Sequence, residues 1–205
     1  MYVSCLDLEG VLVPEIWMTV AEHAGIHELR VTTRDIPDYD ELMRHRLSVI
    51  EKNRLRLIDI QKVIDGMTPL QGADTFLCWL RERSQVIILS DTFYEFAAPL
   101  MRQLQWPTLF CHHLLIDSDG RVQGYRLRQP DQKREVVRAL HALNFKVIAA
   151  GDSYNDTAML EEADHGILFR PPDNVAGAFP QYPVTKEYEE MRLVFETVSA
   201  ELNAE

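Results

Sequence analysis

Cysteine is scarce in this chain, with three among 205 residues, at Cys5, Cys78 and Cys111. An odd number, widely separated and without metal-ligand spacing, excludes a disulfide framework and a cysteine-based metal site. All three sit in apolar stretches and read as buried thiols of a reducing cytoplasm. Glycine (9) and proline (10) are too few for a collagen-like or low-complexity chain. Positive charge is in deficit: 21 Lys and Arg stand against 32 Asp and Glu, for a net charge of −11. Nucleic acid and an anionic membrane surface are therefore excluded as expected partners, since both call for basic patches. A small phosphorylated ligand is not excluded, because a metal ion and a few local cations override global charge inside a cleft. No apolar run approaches the roughly 20 residues of a membrane helix. No basic stretch leads into an apolar one near Met1, so no signal peptide is expected. Internal repeats are missing too.

What remains is an ordinary soluble composition, 46% hydrophobic and 26% charged. Tyr2 to Leu8 reads as a short buried strand running into Asp7-Leu8-Glu9-Gly10. Pro14 suits the first turn of a helix carrying Ile16, Trp17, Val20, Ala21 and Ala24, with Gly25 as its stop. Thr32 to Pro37 is a linker. Asp38 caps a second helix with an apolar stripe of Tyr39, Leu42, Met43, Leu47 and Ile50, and Arg46 lies on that stripe. A third helix over Ile58 to Met67 ends at Thr68-Pro69. Residues 14–69 thus form a small all-helical insertion, set between residues 1–13 and 70–205.

After the insertion the pattern changes to alternating helices and strands. Helices are expected at Ala73 to Arg83, Phe93 to Leu104, Lys133 to Leu143 and Asn155 to Glu162. Strands are expected at Gln85 to Ser90, Lys146 to Gly151 and Gly166 to Phe169. Leu109 to Ile116 and Val122 to Leu127 read as a hairpin about Asp117-Ser118-Asp119-Gly120. The tail repeats apolar residues at helical spacing through Tyr188, Met191, Phe195, Val198 and Leu202. Short apolar strands alternating with helices imply an α/β fold, a Rossmann-like parallel sheet covered on both faces. Ligands of such sheets bind beyond the carboxyl ends of the strands.

Three strands end in residues capable of chemistry: Asp7 with Glu9, Ser90 with Asp91, and Asp152 with Asp156. Clustered carboxylates raise one another's pKa unless a cation joins them. Mg²⁺ suits such a place, since it takes oxygen ligands and keeps sites for water and phosphate. A carboxylate there can also act as a nucleophile, while Ser90 offers a hydroxyl donor and Lys133 a cation. Each residue alone has a plainer role. Asp7 would be a turn residue, Ser90-Asp91-Thr92 and Asp152-Ser153-Asn155 helix caps, and Lys133 a solvated lysine. Glu15 would complement a helix dipole, and Arg46 would lay its stem on the apolar stripe. Their joint occurrence at strand ends outweighs these separate accounts.

Asp7-Leu-Glu9-Gly10-Val-Leu resembles the D-x-D-x-[TV]-[LV] opening motif of the haloacid dehalogenase superfamily. Ile88-Leu89-Ser90 is similar to its second motif, Lys133 stands where its third-motif lysine is expected, and Gly151-Asp152-Ser153-Tyr154-Asn155-Asp156 resembles its fourth, G-D-x-x-x-D. Within the superfamily the chain resembles the phosphoserine phosphatases. Glu15 matches their glutamate for the substrate ammonium, and Arg46, in Leu42-Met-Arg-His-Arg46, their arginine for the substrate carboxylate. The stretches from Leu6 to Trp17 and from Leu89 to Phe96 are most similar to a bacterial bifunctional branch that also passes the phosphoryl group to homoserine. Two departures stand out: Glu9 replaces the usual second aspartate, and Ser90-Asp91-Thr92 replaces Ser-Gly-Gly.

The resemblance implies a Mg²⁺-dependent phosphatase in which Asp7 carries the phosphoryl group and Glu9 is the acid and base. It implies Asp7, Asp152 and the Glu9 carbonyl as metal ligands, and Ser90, Lys133 and the Gly10 amide on the phosphoryl oxygens. Asp156 would orient Lys133 or a metal-bound water, Asn155 would touch the phosphoryl group, and Asp91 would reach the substrate. Glu15 and Arg46 would read the amino acid. O-phospho-L-serine, with L-homoserine as a second acceptor, is the implied substrate, and a homodimer is compatible with the chain. Another small phosphorylated metabolite stays open as the substrate. So does a non-catalytic receiver-like module, which uses a similar carboxylate, Lys and Ser/Thr set, although receivers lack an insertion after the first strand. A dinucleotide-binding domain is disfavoured, since no G-x-G-x-x-G follows the first strand.

Overall fold

The computed structural model describes residues 1–32, 35–36 and 38–204; residues 33, 34 and 37 of the expected linker, and residue 205, lie outside the described residues. Among the described residues, β1 (Tyr2–Leu6), β2 (Gln85–Phe93), β3 (Thr108–Ile116), β4 (Val122–Arg126), β5 (Lys146–Gly151), β6 (His165–Phe169) and β7 (Val184–Thr185) make one sheet. The strand order is β4-β3-β2-β1-β5-β6-β7. Every pairing is parallel except β3 with β4, which form the antiparallel hairpin. The chain builds outward from β1 through β2 and β3, then returns to place β5, β6 and β7 on the other side. The crevice at that reversal, beyond the ends of β1 and β5, is where an open α/β sheet takes its ligand.

Alternation along the strands explains how both faces are covered. Leu6, Ile148, Ala150 and Ile167 point into one apolar cluster, shared with Phe76, Leu80, Met191 and Phe195. Val3, Cys5, Val147, Ala149 and Leu168 point into the other, shared with Val137, Leu140, Met159 and Leu160. The first face is therefore packed by α4 (Ala73–Arg81) and α9 (Tyr188–Ala204), the second by α6 (Gln132–Ala142) and α7 (Thr157–Glu162). Helices α1 (Ile16–Ala24), α2 (Tyr39–Lys52) and α3 (Leu57–Asp65) follow β1. Their buried Trp17, Met43 and Ile60 join the first cluster, so the insertion shares a core with the sheet. No described helix is long and apolar enough to cross a membrane.

Several boundaries differ from the sequence reading. β1 stops at Leu6, two residues early, because the chain turns at Leu8–Val13, where Leu12 N and Val13 N both bond to the Leu8 carbonyl. Pro14 lies outside α1, whose N-cap is Glu15, and Gly25 ends the helix at φ 65°. Asp38 does cap α2, accepting the Glu41 N–H at 2.7 Å. β2 runs through Ser90-Asp91-Thr92 to Phe93 rather than stopping at Ser90. A register shift against β3 brings Phe93 opposite His112, and this distant pairing extends the strand. The next helix, α5 (Tyr94–Gln103), consequently starts late. The single helix expected from Asn155 is a 3₁₀ turn, Tyr154–Asp156, followed by α7. The 3₁₀ turn at His27–Arg30, helix α8 (Asp173–Ala178) and strand β7 were not anticipated; each is short. Cys5 and Cys111 are buried as expected, but Cys78 is exposed on α4.

Candidate active site

The pairing of β1 with both β2 and β5 sets Leu6 beside Ile88 and Ala150. Asp7 follows directly, and its N–H still bonds to the Ala150 carbonyl at 2.9 Å. Asp7, the Ser90–Asp91 stretch and Asp152 therefore share one edge of the sheet, as their strand-end positions predicted. Two glycines permit the crowding there. Gly10 sits at φ +79°, and a Cβ on it would fall 2.5 Å from the Asp152 carboxyl carbon. A Cβ on Gly151 would fall 2.3 Å from the Asp156 side chain. The Gly10 amide donates to Val13 O at 2.8 Å, so it is committed to the turn and not to a phosphoryl oxygen as expected.

Lys133, at the start of α6, is the hub. Its buried ammonium lies 2.7 Å from Asp156 Oδ1, 3.0 Å from Asp7 Oδ1 and 3.6 Å from Asp91 Oδ2. Burial works against its charge, but Asp156, Asp7 and Asp91 outweigh it and hold its pKa well above the usual lysine value. Asp7 Oδ1 also accepts the Leu8 N–H at 2.7 Å. Its other oxygen, Oδ2, has no hydrogen bond among the described residues. Asp156 is fully engaged: Oδ1 takes Lys133, and Oδ2 takes the N–H groups of Asp152 (2.9 Å) and Ser153 (3.1 Å). That double hold shapes the Asp152 loop and ties it to Lys133.

The carboxylates outnumber the cations. Asp7, Asp152 and Asp156 each bring an oxygen within 4.8 Å of the others. Burial, then the charges of Asp156 and Asp152, push Asp7 well above the aspartate range. Burial and Asp156 push Asp152 up to about 7. Half-buried Glu9 is pushed up to about 8, first by desolvation and then by Glu15. Its Oε2 accepts the Ile16 N–H at 2.8 Å, at the start of α1. The extra methylene relative to aspartate is thus accommodated against the first amide of that helix.

Arg46 is buried among Trp17 and Met43, its guanidinium 4.8 Å from the Trp17 ring. It donates to Val31 O at 3.1 Å, while its buried Nε has no partner. Burial lowers its pKa, and the charges of Glu9, Tyr39 and Glu15 oppose that shift. Glu15 is exposed and makes no helix-cap hydrogen bond with its side chain. Its charge adds to the field raising both Glu9 and Asp152. Asn155 is exposed too, with Nδ2 3.4 Å from Asp91 Oδ2. Ser90 is buried, and its Oγ accepts the Thr92 N–H at 3.3 Å, leaving its own proton to donate.

Sequence reasoning missed three polar residues around Asp91: Gln132, His112 and Tyr39. Gln132 Nε2 donates to Ser90 O and to Asp91 Oδ1, the latter at 3.2 Å. His112 Nε2 lies 3.5 Å from the same Oδ1, and Tyr39, on the insertion, donates its hydroxyl to Asp91 O at 3.0 Å. Burial opposes the charge of Asp91, but Lys133, His112 and Gln132 prevail and hold it well below the usual range. A signal did exist. A histidine inside the apolar Leu109–Ile116 run, and a glutamine beside Lys133, both need buried partners.

The sequence profile of the haloacid dehalogenase-like hydrolases matches residues 5–164, from the first motif through the fourth. The chain is a haloacid dehalogenase-like hydrolase. The hydrolase is 60% identical over 195 residues to a Pseudomonas aeruginosa protein, Phosphoserine phosphatase ThrH, covering 95% of both chains. It is 59% identical over 193 residues to a phosphoserine phosphatase of Pseudomonas syringae pathovar tomato, covering 94% of this chain and 81% of that one. A solved phosphoserine phosphatase, a phospho-aspartyl intermediate analogue, superposes with a TM-score of 0.77 at 19% identity, over 94% of this chain and 98% of that one. That structure shares the fold of the hydrolase.

The donors of the hydrolase fit a divalent metal. They are all hard oxygens, closely set, and their repulsion is met by one ammonium. A cation between Asp7 and Asp152 would oppose the upward pKa shift that burial and their acidic neighbours now give both carboxyls. One Asp7 oxygen is anchored and the other carries no hydrogen bond among the described residues, an arrangement that suits a carboxylate nucleophile.

Proposed function

We propose that this hydrolase cleaves O-phospho-L-serine through a phosphoryl-aspartate on Asp7, and hands the phosphoryl group to water or to L-homoserine. The observation that carries the reading is the divided Asp7 carboxylate. Leu8 N–H and Lys133 fix Oδ1, which leaves Oδ2 as the nucleophile. Oδ2 bonds to phosphorus as the bond to the serine oxygen breaks, and Glu9 gives that oxygen its proton. Burial pushes the Glu9 carboxyl up, toward the protonated form an acid needs. The acceptor hydroxyl then returns a proton to Glu9 and attacks phosphorus, which frees Asp7.

Mg²⁺ held by Asp7, Asp152 and the Glu9 carbonyl would neutralise the phosphoryl charge. The Glu9 carbonyl accepts no hydrogen bond among the described residues, so it is open for that role. Ser90 and Lys133 hold phosphoryl oxygens, with Asn155 and Asp91 at the rim. Residues 14–69 act as a cap over the core formed by 1–13 and 70–205. Arg46, whose buried Nε lacks a partner, takes the substrate carboxylate, and Glu15 takes the ammonium. The two Pseudomonas relatives, both named as phosphoserine phosphatases, support the choice of phosphoserine.

Homoserine differs from serine by one methylene, a change that shifts pocket discrimination by only about 1–3 kcal/mol. A pocket that releases serine therefore admits homoserine, its hydroxyl standing near Glu9 at high effective concentration. A phosphorus-NMR time course with phosphoserine and Mg²⁺ tests both halves. Inorganic phosphate alone is expected without homoserine, and phosphohomoserine beside it with millimolar homoserine. Phosphate alone at saturating homoserine would remove the transferase half. No turnover of phosphoserine would remove the substrate assignment.

A further inference from the structure

The lysine hub carries an asymmetry. An ammonium has three N–H groups. Asp156 takes one at 2.7 Å and Asp7 another at 3.0 Å. Asp91 faces the third at 3.6 Å, close enough for an ion pair and too far for a good hydrogen bond. A half-exposed carboxylate so near a buried ammonium should close on it unless something holds it back. Its Oδ2 takes only a long contact from exposed Asn155, at 3.4 Å, and the firmer hold on Asp91 comes from the buried side, at three points.

The Arg128 N–H donates to His112 Nδ1 at 3.1 Å, which places the imidazole proton on Nε2, 3.3 Å from Gln132 Nε2 and at contact range, 3.5 Å, from Asp91 Oδ1. Gln132 donates to the same oxygen at 3.2 Å, and its own Oε1 is fixed by Arg128 Nε at 3.2 Å. Tyr39 holds the Asp91 carbonyl at 3.0 Å. His112 and Gln132 are both buried, 3% and 2% exposed, so neither is a solvated bystander.

We propose that His112 and Gln132 are positioning residues that hold Asp91 back from Lys133, keeping one ammonium N–H in reserve for a phosphoryl oxygen. Asp91 then aims that N–H without capping it, and its negative charge limits how tightly a phosphate dianion stays. This rests on the reading that a phosphoryl group docks at Lys133, and is independent of which alcohol the phosphate is esterified to.

The test measures binding of inorganic phosphate by calorimetry with Mg²⁺ present, and turnover of p-nitrophenyl phosphate. Removing the competing anion in Asp91→Asn should tighten phosphate binding roughly three- to tenfold, the scale of one partly screened charge a few ångströms away. In His112→Asn the acceptor for Arg128 N–H is kept and the hold on Asp91 is lost. Asp91 closes on Lys133, phosphate binding weakens by a similar factor, and KM rises more than kcat falls. His112→Gln, which can return an amide donor near the Nε2 position, should recover much of the loss.

The deciding comparison is the double variant. In the Asp91→Asn background, His112→Asn should change phosphate affinity by less than twofold, since it acts through Asp91. An equal loss in both backgrounds would make His112 merely structural and overturn the proposal. Unchanged phosphate affinity in Asp91→Asn would overturn it too, and that variant alters a half-exposed residue should the histidine variants fail to fold. A wild-type protein that turns over the aryl phosphate but not phosphoserine would remove the substrate assignment and leave this test standing.

Discussion

The two ends of the sheet treat aspartates in opposite ways. At the carboxyl end, Asp7, Asp152 and Asp156 crowd around one ammonium, and burial drives Asp7 and Asp152 toward the neutral form. At the amino end, Asp164 precedes β6 and is matched by donors: Val147 N–H at 2.8 Å, His141 at 2.9 Å and Lys146 at 3.1 Å. Burial opposes its charge as well, yet these partners win and hold its carboxyl below the usual range. Residue type does not separate the two ends; charge balance does. A matched aspartate holds structure together, and an unmatched cluster is a binding site waiting for positive charge.

The largest test of this contrast is at Asp7. Asp7→Asn keeps the volume and removes the nucleophile, so turnover should fall by more than about a thousandfold, as loss of a covalent nucleophile does. The fold should persist, because Lys133 keeps Asp156. Phosphate release and a mass measurement of phosphoenzyme check it; activity above about a thousandth of wild type would send the nucleophile elsewhere. Next in size is Asp152→Asn. Mg²⁺ affinity, read from a metal titration of activity and of Tm, should fall by at least the roughly 10–100-fold seen when residues supporting a metal ligand are lost. An unmoved titration would remove Asp152 from the metal site.

A smaller effect separates chemistry from recognition within the same edge. Arg46→Ala should cost roughly 10–100-fold on phosphoserine, the scale of a charge-assisted hydrogen bond, and much less on p-nitrophenyl phosphate. Equal losses on both would make Arg46 a packing residue on Trp17. Glu15→Gln, at an exposed position, should show roughly a two- to fivefold loss confined to the amino-acid substrate.

How much of this was legible beforehand depended on where the information lay. The strands ending at Asp7 and Asp152 could be read because their apolar runs are local and their carboxylates stand out at the ends. The helix carrying Arg46 could be read because an arginine on an apolar stripe is conspicuous. The continuation of β2 to Phe93 could not, since it is set by pairing with His112 across a register shift. His112, Gln132 and Tyr39 become meaningful only once β3, α6 and α2 meet at Asp91, twenty-one or more residues from each in sequence. The committed Gly10 amide was hidden for a related reason, because only the turn's geometry shows that Val13 O already accepts it. Helix α8 and strand β7 are too short to carry a period.

The smallest expected effect returns to the amino end and has a defined sign with pH. Asp164→Asn removes charge from three hydrogen bonds and leaves the amide dipole in place. The loss should be about 1–2 kcal/mol, the range of a hydrogen bond to a charged group less what the amide retains. Because the folded protein holds Asp164 below the ordinary aspartate value of about 3.9, its stabilisation is full above that pH. It is lost as pH falls through the depressed folded value, where the carboxyl protonates and comes to resemble the amide. Denaturant melts of wild type and Asp164→Asn should therefore differ by a constant amount at pH 6 to 8 and converge in acid. Carboxylates pushed upward at the other end of the sheet have the opposite linkage, so they cannot produce this convergence. A gap that stayed constant into acid would mean that Asp164 acts through shape rather than charge, and the contrast between the two ends would lose its electrostatic basis.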